Sequence, residues 1–381
     1  MDLATKIVKK VEKTISKYHM LEHGDRVIVA VSGGADSVCL LHILHRLTDV
    51  WGLTLVVAHF NHGLRPDADE DETRFVRIMA SSLHLDVVVE KAQPAIPPEG
   101  ASLEERARDA RYRFLKNVQK EYDAHKIATG HTLNDQAETV LMRLLRGSGP
   151  AGLSGIHPVR ENFIIRPLIE ISRIDIEAYL GHRQLEHMTD ASNTEVRHLR
   201  NDIRLNLIPQ LQRYQPRIIE VLGRTAEITG EENRWFDAQA ETWIKKQRGT
   251  GPSDEMVIPL SGFTDLPEPL QNHVVRKALQ MVSGSLSRIN LHHIEAIKRL
   301  AKGTKPQAEV MLPHRIRVRR VYERLIFSTG GMETAERFCC FIERPGSFDL
   351  HDLGCTLLLE EIERKAVSDL KARPWTACLD A

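Results

Sequence analysis

The sequence predicts an α/β protein, with a doubly wound parallel sheet followed by a second, smaller and mainly helical domain. Three observations carry this prediction. Short β-branched runs alternate with amphipathic helical patterns through roughly the first 210 residues. A glycine-rich turn follows the first of these runs, and the pattern changes beyond residue 215. The chain has 381 residues, more than one ordinary core holds, so two or three domains are expected.

The predicted elements follow one another in a regular order. Apolar residues at helical spacing from Leu3 to Ile15 predict an N-terminal helix. Strands are predicted at 27–31, 53–58, 85–90 and 126–129. A capping box that begins at Ser102 opens a predicted helix reaching about Glu121. Apolar strands that alternate with helices indicate a parallel sheet covered on both faces, in which ligands bind beyond the carboxyl ends of the strands.

Composition narrows the class of protein. Hydrophobic residues make up 42% of the chain, charged residues 27%, and the formal net charge is zero. No apolar run approaches the ~20 residues of a spanning helix, and no signal-peptide pattern opens the chain, so we expect a cytoplasmic protein with no membrane partner. The five cysteines contain no C-x-x-C pair and give no sign of a zinc or iron–sulfur site. Zero net charge argues against a nucleic-acid partner, so local clusters of basic residues must decide.

The turn after the first predicted strand reads SGGADS, residues 32–37. Gly33 and Gly34 permit backbone conformations that other residues avoid, and they let amide N–H groups converge on an anion. The helix that begins near Ser37 adds its positive dipole end. The loop matches neither the Walker nor the dinucleotide pattern, and no lysine follows it, so charge neutralisation would fall to backbone amides and a metal ion held by Asp36. The alternative is a tight turn in which the two serines only cap the helix.

Residues 32–37 resemble the S-G-G-x-D-S loop of the N-type ATP pyrophosphatases, which cleave ATP between the α- and β-phosphates to adenylate a substrate. Later blocks resemble the tRNA(Ile)-lysidine synthetase family of this superfamily. In order they are HFNHGLR (59–65), GHTLNDQAET (130–139), RGSG (146–149) with GL (152–153), RPL (166–168), DASN (190–193) and RNDIR (200–204). Asn134 departs from the acidic residue that is usual there, and beyond 215 the resemblance is diffuse.

The resemblance implies ATP and Mg²⁺ as cofactors, with L-lysine and the isoleucine tRNA that carries a CAU anticodon as substrates. Members of the family adenylate the wobble cytidine of this tRNA, and the lysine side-chain amine then displaces AMP. The residues predicted to be catalytic are Asp36, Arg111, Asp135 and Glu138, with Asp36 also binding the metal. Those predicted to bind ATP are Ser32, Gly33, Gly34, Ala35, Asp36, Ser37, His59 and His131. Those predicted to bind tRNA are Arg200, Arg204, Arg315, Arg317 and Arg319.

Several of these residues also have purely structural interpretations. Asp135 and Glu138 share one face at the start of a predicted helix and suit the ammonium groups of lysine. Alternatively, Asp135 only favours the positive end of that helix. Arg108 and Arg111 share a face of the capped helix and could reach an ATP phosphate or the tRNA backbone, or form a solvated face. His59 and His62 have the spacing of metal ligands, but no further Cys or His pair lies nearby in the sequence. This favours a role as polar lining at the carboxyl edge of the sheet.

The C-terminal half predicts a basic surface. The predicted divisions are a PP-loop ATP pyrophosphatase domain over 1–213, a helical connector over 214–250, a tRNA-contacting domain over 251–330 and a short-strand segment over 331–381. The last segment is either the end of a short form or the start of a further domain. Arg315, Arg317 and Arg319 alternate with apolar residues and predict one basic face of a strand, suited to a phosphate backbone. A solvated edge strand protected by its charges is the alternative.

Three other functions stay open at this point. A tRNA thiolase would need cysteines near its active site, and Cys39 is the N-terminal candidate. An NAD synthetase would have no need of the basic second domain, and a non-catalytic tRNA-binding protein would have no use for a phosphate loop. The sequence leaves open a homodimer, and it does not say how the methionine tRNA with the same anticodon is rejected.

Overall fold

The computed structural model describes residues 2–63, 66–92, 103–188, 199–247, 255–330, 345–350 and 355–359. The chain divides into two compact units, Met1–Gln247 with Leu266–Lys277, and Arg248–Asp265 with Ala278–Ala381. Four sequence predictions lie outside the described residues: the capping serine at 102, Arg65, the block at 190–193 and the short strand at 338–342.

The first unit is built on a six-stranded sheet. Its strands are β1 (Arg26–Ala30), β2 (Thr54–Asn61), β3 (Asp86–Lys91), β4 (Lys126–Ala128), β5 (Val159–Arg160) and β6 (Ile164–Ile165). The spatial order is β3-β2-β1-β4-β6-β5, and all neighbours are parallel except β5 and β6. The chain leaves β1 toward β2 on one side and returns to β4 on the other. The strand order therefore reverses between β1 and β4, where ligands bind in doubly wound sheets.

Helices cover both faces of this sheet. They are α1 (Leu3–Lys17), α2 (Ala35–Arg46), α3 (Thr48–Trp51), α4 (Pro66–Ser82), α5 (Leu103–Glu121), α6 (Leu133–Leu145), α7 (Pro150–Leu153), α8 (Arg173–Arg183), α9 (Leu199–Asp202), the π-helical turn Ile203–Leu207, α10 (Ile208–Tyr214) and α11 (Ile218–Gln247). Alternate residues of β1 point to opposite sides: Val27 and Val29 pack into the core with α1, α2 and α8, whereas Ile28 packs with Phe114 of α5. The predicted strands, the N-terminal helix and the doubly wound class are confirmed.

The second unit contains more strand than a mainly helical domain would. Its elements are β7 (Glu255–Pro259), the short turn α12 (Leu260–Phe263), the later part of α13 (Glu268–Ser283), α14 (Leu291–Lys302), β8 (Gln307–Leu312), a 3₁₀ turn (Pro313–Arg315), β9 (Ile316–Val321), β10 (Arg324–Thr329), β11 (Gly346–Leu350) and β12 (Cys355–Leu359). Four of these strands form an antiparallel sheet in the order β7-β10-β9-β8. The predicted smaller second domain is confirmed, and its mainly helical character is corrected by this sheet.

Candidate functional site

The loop after β1 is held in shape by its own hydroxyl groups. The backbone N–H of Ser32 donates to Ser37 Oγ at 3.2 Å, and Ser37 Oγ donates to the carbonyl of Gly34 at 2.9 Å. Gly33 has a φ of 90°, which only glycine adopts without strain. Gly34 is the N-cap of α2, and no side chain of the described residues caps that end. The first N–H groups of α2 therefore face the loop with the helix dipole behind them, an arrangement that suits a phosphate.

Asp36 lies in the first turn of α2 and has one oxygen in use. Its Oδ2 accepts a hydrogen bond from Arg173 Nη2 at 3.2 Å, while its Oδ1 is buried with no hydrogen-bond partner among the described residues. Burial raises the pKa of Asp36, and the nearby charge of Arg173 opposes that rise. Arg173 was missed from the sequence because it belongs to none of the quoted blocks. It supplies a cation where the loop has no lysine.

Asn134 helps to place this arginine. Its Oδ1 accepts a hydrogen bond from the backbone N–H of Arg173 at 2.9 Å, at the first residue of α8. An amide oxygen makes this contact without adding a third carboxylate near Asp36 and Asp135. The departure of Asn134 from the usual acidic residue therefore has a structural use.

His59, predicted to bind ATP, is bonded within the protein. Its side chain is 1% exposed, its Nδ1 lies 2.9 Å from the carbonyl oxygen of Val31, and its Nε2 lies 3.2 Å from Thr73 Oγ1. Because Val31 directly precedes Ser32, this histidine fixes the start of the loop. That geometry matches the polar-lining interpretation, and direct contact of His59 with ATP stays a prediction.

The residues after β4 lie beside the same loop. A Cβ on Gly130 would lie 3.3 Å from the carbonyl carbon of Asp36 and the nitrogen of Ser37, so a larger residue would have to push the two backbones slightly apart. His131 follows, and its Nδ1 lies 3.0 Å from Thr129 Oγ1. Burial, with the charge of Arg166, lowers the pKa of His131 to about 3, which keeps the imidazole neutral. The block at 130–139 is therefore placed against the phosphate loop by the β1–β4 pairing.

Asp135 caps the helix that it opens. Its carboxylate accepts the backbone N–H of Thr132 at 2.8 Å, and its own N–H donates to Thr132 Oγ1 at 3.3 Å, which completes a capping box at the start of α6. Burial alone would raise the pKa of Asp135, but the Arg200 guanidinium, His131 and the Thr132 hydrogen bonds outweigh burial and lower it. The capping role inferred as an alternative is present, and the carboxylate stays ionised.

Two arginines pair with Asp135 and Glu138. Arg200 reaches Asp135 Oδ1 through Nη2 and Glu138 Oε2 through Nε, both at 2.7 Å. Arg204 reaches Glu138 Oε1 through Nε at 2.6 Å. The Glu138 side chain is 1% exposed, and the others keep between 16% and 30% of their surface. We call these four residues the carboxylate–arginine cluster. Its two arginines bond carboxylates of their own chain here, and their contact with tRNA stays a prediction.

The loop after α6 is pinned by two side chains of that helix. Gln136 exchanges two hydrogen bonds with the backbone of Ile156, at 3.1 and 2.5 Å. Arg143 donates to the carbonyls of Gly152 and Gly155 at 2.8 and 2.7 Å. Arg143 therefore binds the following loop rather than serving only as a cation at the end of its helix. These bonds explain why glutamine and arginine stand in the blocks at 130–139 and just before 146–149.

Arg111 lies on α5, with its Cζ 5.7 Å from the ring centroid of Tyr112. Burial lowers the pKa of Arg111, as does the neighbouring charge of Arg108. The charge of Arg111 is one of those that lower the pKa of His131. Its predicted catalytic role stays a prediction.

The second unit holds the predicted basic face. Arg317 and Arg319 share the same side of β9, opposite the buried Ile316 and Val318. Arg315 lies in the preceding 3₁₀ turn with a φ of 56°, so the prediction that it shares the strand face is wrong. A turn, rather than a continued strand, breaks the alternation at that residue. Its contact with tRNA stays a prediction.

Both arginines of this face have partners. Arg317 Nε bonds Glu309 Oε2 at 2.7 Å, and Arg319 Nη2 bonds Glu255 Oε1 at 2.7 Å. The next residue, Arg320, donates to carbonyls at the end of α14 instead. The face is therefore partly neutralised within the unit, so its net positive charge is smaller than the sequence pattern indicated.

We also searched the described residues for a cavity, a metal cluster and a membrane-spanning helix. A cavity of about 260 Å³ lies among α1, α6 and α11, and none of the predicted site residues lines it. No cluster of three or more His, Cys, Asp or Glu suited to a metal occurs within the described ranges. Within the same residues, no helix is long and apolar enough to cross a membrane.

Two family models match the chain. A model described as a PP-loop domain matches residues 3–211, and one described as a TilS substrate binding domain matches residues 258–326. A solved structure, the U34-tRNA thiolase NcsA from Methanococcus maripaludis with its 4Fe–4S cluster, is similar with a TM-score of 0.52. It is 17% identical and covers 60% of this chain and 80% of its own. That likeness shows a shared fold.

Curated relatives match nearly the whole chain. The tRNA(Ile)-lysidine synthase of Geobacter sulfurreducens is 37% identical over 91% of this chain and 74% of its own length. That of Symbiobacterium thermophilum is 37% identical over 95% and 78%, and that of Clostridioides difficile 33% identical over 84% and 70%. By these matches, and by the two domain models above, the chain belongs to the tRNA(Ile)-lysidine synthase family.

Proposed function

We propose that this chain is a tRNA(Ile)-lysidine synthase, a carbon–nitrogen ligase that uses ATP to join free lysine to the wobble cytidine of the isoleucine tRNA with a CAU anticodon. One observation carries the proposal beyond family membership. The phosphate loop after β1 lies against the segment after β4 that leads to the carboxylate–arginine cluster, because a Cβ on Gly130 would lie 3.3 Å from the backbone of Asp36 and Ser37. The loop suits the phosphates of ATP, and the cluster suits a charged amino acid.

The proposed reaction has two steps. Cytosine has one ring carbonyl, at C2, and its oxygen attacks the α-phosphorus of ATP while pyrophosphate leaves with the electron pair of the broken P–O bond. The lysine side-chain amine then attacks C2, and AMP leaves with the former carbonyl oxygen. The amine must lose protons to the surroundings, since its unperturbed pKa is about 10.4. Both steps place negative charge on leaving phosphates, so cations and N–H groups near the loop favour them.

Magnesium fits this loop. The unpartnered, buried Oδ1 of Asp36 is a hard oxygen ligand, and Mg²⁺ is usually held by one or two carboxylates together with substrate phosphates and water. When bound, the ion would neutralise phosphate charge. Arg173 would hold the other oxygen of Asp36, so that the carboxylate keeps its orientation.

Lysine suits the carboxylate–arginine cluster. The free amino acid carries two ammonium groups and one carboxylate, and the cluster offers two carboxylates and two guanidinium groups. Asp135 and Glu138 would take the α-ammonium group, and Arg200 or Arg204 would turn to the lysine carboxylate. The cluster must then exchange one internal ion pair for a substrate ion pair when lysine binds.

The thiolase alternative has less support. Thiolation chemistry needs reactive thiolates or a cluster held by them. Cys39 is buried, and burial raises the pKa of its thiol to about 12. A cysteine of that kind packs in a core and is a poor nucleophile, so lysine rather than sulfur is the better co-substrate for this site.

AMP release tests the proposal. The purified chain, incubated with ATP and Mg²⁺, should release AMP only when both lysine and unmodified isoleucine tRNA are present. Nucleoside mass analysis should then find cytidine joined to lysine with loss of water. AMP release without lysine incorporation, or incorporation of sulfur, would reject the proposal.

We also propose a cytoplasmic location, where tRNA is modified. A homodimer is a separate prediction, and the molecular mass of the protein in solution tests it.

A further inference from the structure

A second group of arginines surrounds Tyr112 on the α5 side of the phosphate loop. The Cζ atoms of Arg160, Arg108 and Arg111 lie 4.7, 5.5 and 5.7 Å from the centroid of its ring. Arg166, 2% exposed, acts on the same ring. Burial alone would raise the pKa of Tyr112, yet the charges of Arg166, Arg108 and Arg111 outweigh burial and lower it. Four guanidinium groups therefore converge on one tyrosine, and we call them, with Tyr112, the arginine–tyrosine cluster.

This cluster has little counter-charge. Among the described residues, Glu161 is the carboxylate that pairs with a member, at 3.2 Å from Arg160 Nε. Glu161 is shared with Lys116, which bonds it at 2.7 Å. Like charges so close repel one another unless an anion lies between them. The carboxylate–arginine cluster neutralises itself at Glu138, whereas among the described residues the arginine–tyrosine cluster keeps an excess of positive charge that suits an external anion.

Two arginines of the cluster reach solvent, and a third lies close to the end of β4. Arg108 is exposed, and the Arg160 side chain keeps 36% of its surface. Arg166 directly follows Ile165, whose carbonyl accepts the backbone N–H of Thr129 at 3.0 Å, and Thr129 directly precedes the glycine that touches the phosphate loop. An anion held here would lie beside the ATP phosphates without competing for the N–H groups of the loop.

We propose that the arginine–tyrosine cluster binds a phosphodiester of the RNA strand that presents the reacting cytidine, separately from the phosphates of ATP. The proposal rests on the proposed function, because it takes the polynucleotide as substrate. Guanidinium groups pair with phosphate oxygens through two parallel hydrogen bonds, and the buried Tyr112 supports Arg108 and Arg160 through cation–π contacts. One fixed phosphodiester would position the cytidine and leave its carbonyl free for ATP.

The test measures binding of an anticodon stem–loop RNA with a CAU loop. Arg108→Gln and Arg160→Gln should each weaken its binding roughly tenfold, the cost of one charged hydrogen bond. Each should also flatten the salt dependence by about 0.7 in the log–log slope. Affinity for ATP alone should stay unchanged. Arg113→Gln is the matched control, an exposed arginine of the same helix, and should change neither affinity.

A neutral linkage identifies the phosphate. Replacing one phosphodiester of the stem–loop by a methylphosphonate should weaken wild-type binding at one position only, and at that position Arg160→Gln should add no further loss. Arg160→Lys should restore part of the salt slope, and thermal melting of each variant checks that it folds. Unchanged stem–loop binding in both variants, or a loss that persists at every neutral linkage, would overturn the proposal. Weaker ATP binding with normal RNA binding would assign the anion to ATP and overturn it as well.

The two proposals fail differently. If the variants lose RNA affinity as expected but the wild-type chain forms no lysine adduct, the proposed function fails and the phosphodiester site stands. If the wild-type chain forms the adduct and both variants bind the stem–loop normally, the site fails and the proposed function stands.

Discussion

Arg173 and Asp36 share one hydrogen bond of 3.2 Å that leaves the second oxygen of the carboxylate unpartnered among the described residues. The arginine lies at the start of α8, and its backbone N–H is held by Asn134. The charge of Arg173 opposes the rise in the Asp36 pKa that burial causes. Under the proposed function, a cation from a distant helix would replace the lysine found within other phosphate-binding loops, by adding positive charge close to a bound phosphate.

Arg173→Gln should shift the acid limb of the pH profile. In the proposed site an ionised Asp36 would bind magnesium, so activity should be lost as pH falls through the pKa of that carboxyl. Removing Arg173 removes an influence that lowers this pKa, so the limb should move to higher pH while activity above it changes less. The measurement is kcat/KM for ATP against pH at saturating tRNA and lysine. Arg173→Lys is the control and should keep the limb in place; a limb that stays put in Arg173→Gln contradicts the pairing.

Asp36→Asn should inactivate the protein without destabilising it. A carboxylate whose pKa is raised in the folded state makes folding less favourable once pH exceeds its unfolded value, so replacing it with a neutral amide removes that cost at pH 7. The loss of a metal ligand should remove AMP formation. Thermal melting and AMP release check both parts. A variant that melts well below wild type, or that turns over normally, goes against this account of Asp36.

The strands and the loop that frame the site were predicted from the sequence better than the side-chain contacts within it. β-branched runs and glycine spacing predict β1, β4 and the loop, because these depend on local preference and sheet order. Arg173 was not foreseen, because its partner is 137 residues away and no spacing rule connects them. The pairing of Arg200 with Glu138 was missed for the same reason. Glu138 and Arg200, which were each predicted to bind a substrate, bond each other in the structure.

The basic strand shows a different kind of error. Alternation correctly predicts Ile316 and Val318 inside with Arg317 and Arg319 outside. It includes Arg315 wrongly, because a left-handed residue ends the pattern one step early, and backbone handedness cannot be read from charge alternation. The pairing of Arg319 with Glu255 could not be predicted from the sequence either, because Glu255 belongs to a strand 64 residues away.

Gly33→Ala should lose both stability and ATP use. At a φ of 90°, a side chain costs about 1–3 kcal/mol of strain, and relief of that strain would move the loop N–H groups. Gly24→Ala is the matched control, since Gly24 has a φ of 86° and no atom within 4 Å of an added Cβ. Both variants should melt lower by similar amounts, but only Gly33→Ala should raise the KM for ATP. Equal ATP kinetics in the two variants would separate Gly33 from phosphate binding.

Glu138→Gln should raise the lysine requirement. Losing this buried charge removes one carboxylate from the pairing of Arg200 and Arg204, which should lower stability, and it removes a candidate partner of the lysine ammonium. We expect a higher KM for lysine while ATP-dependent adenylation of tRNA, measured without lysine, persists. Glu170→Gln is the control, because Glu170 is also bonded by Lys17 and Tyr18 but lies outside the cluster. If both variants lose stability and neither changes the lysine KM, the cluster is structural.

Releasing the basic strand from its own carboxylates should tighten tRNA binding. Glu309 holds Arg317 at 2.7 Å in this structure, so any phosphate must compete with that carboxylate. Glu309→Gln should increase tRNA affinity and steepen its salt dependence, and Arg317→Gln should flatten the dependence by up to about 0.9 in the log–log slope. Arg324→Gln, an exposed arginine of the neighbouring strand, is the control. Were the strand merely a solvated surface, Glu309→Gln and Arg317→Gln would both lower thermal stability slightly and leave the tRNA salt slope where Arg324→Gln leaves it.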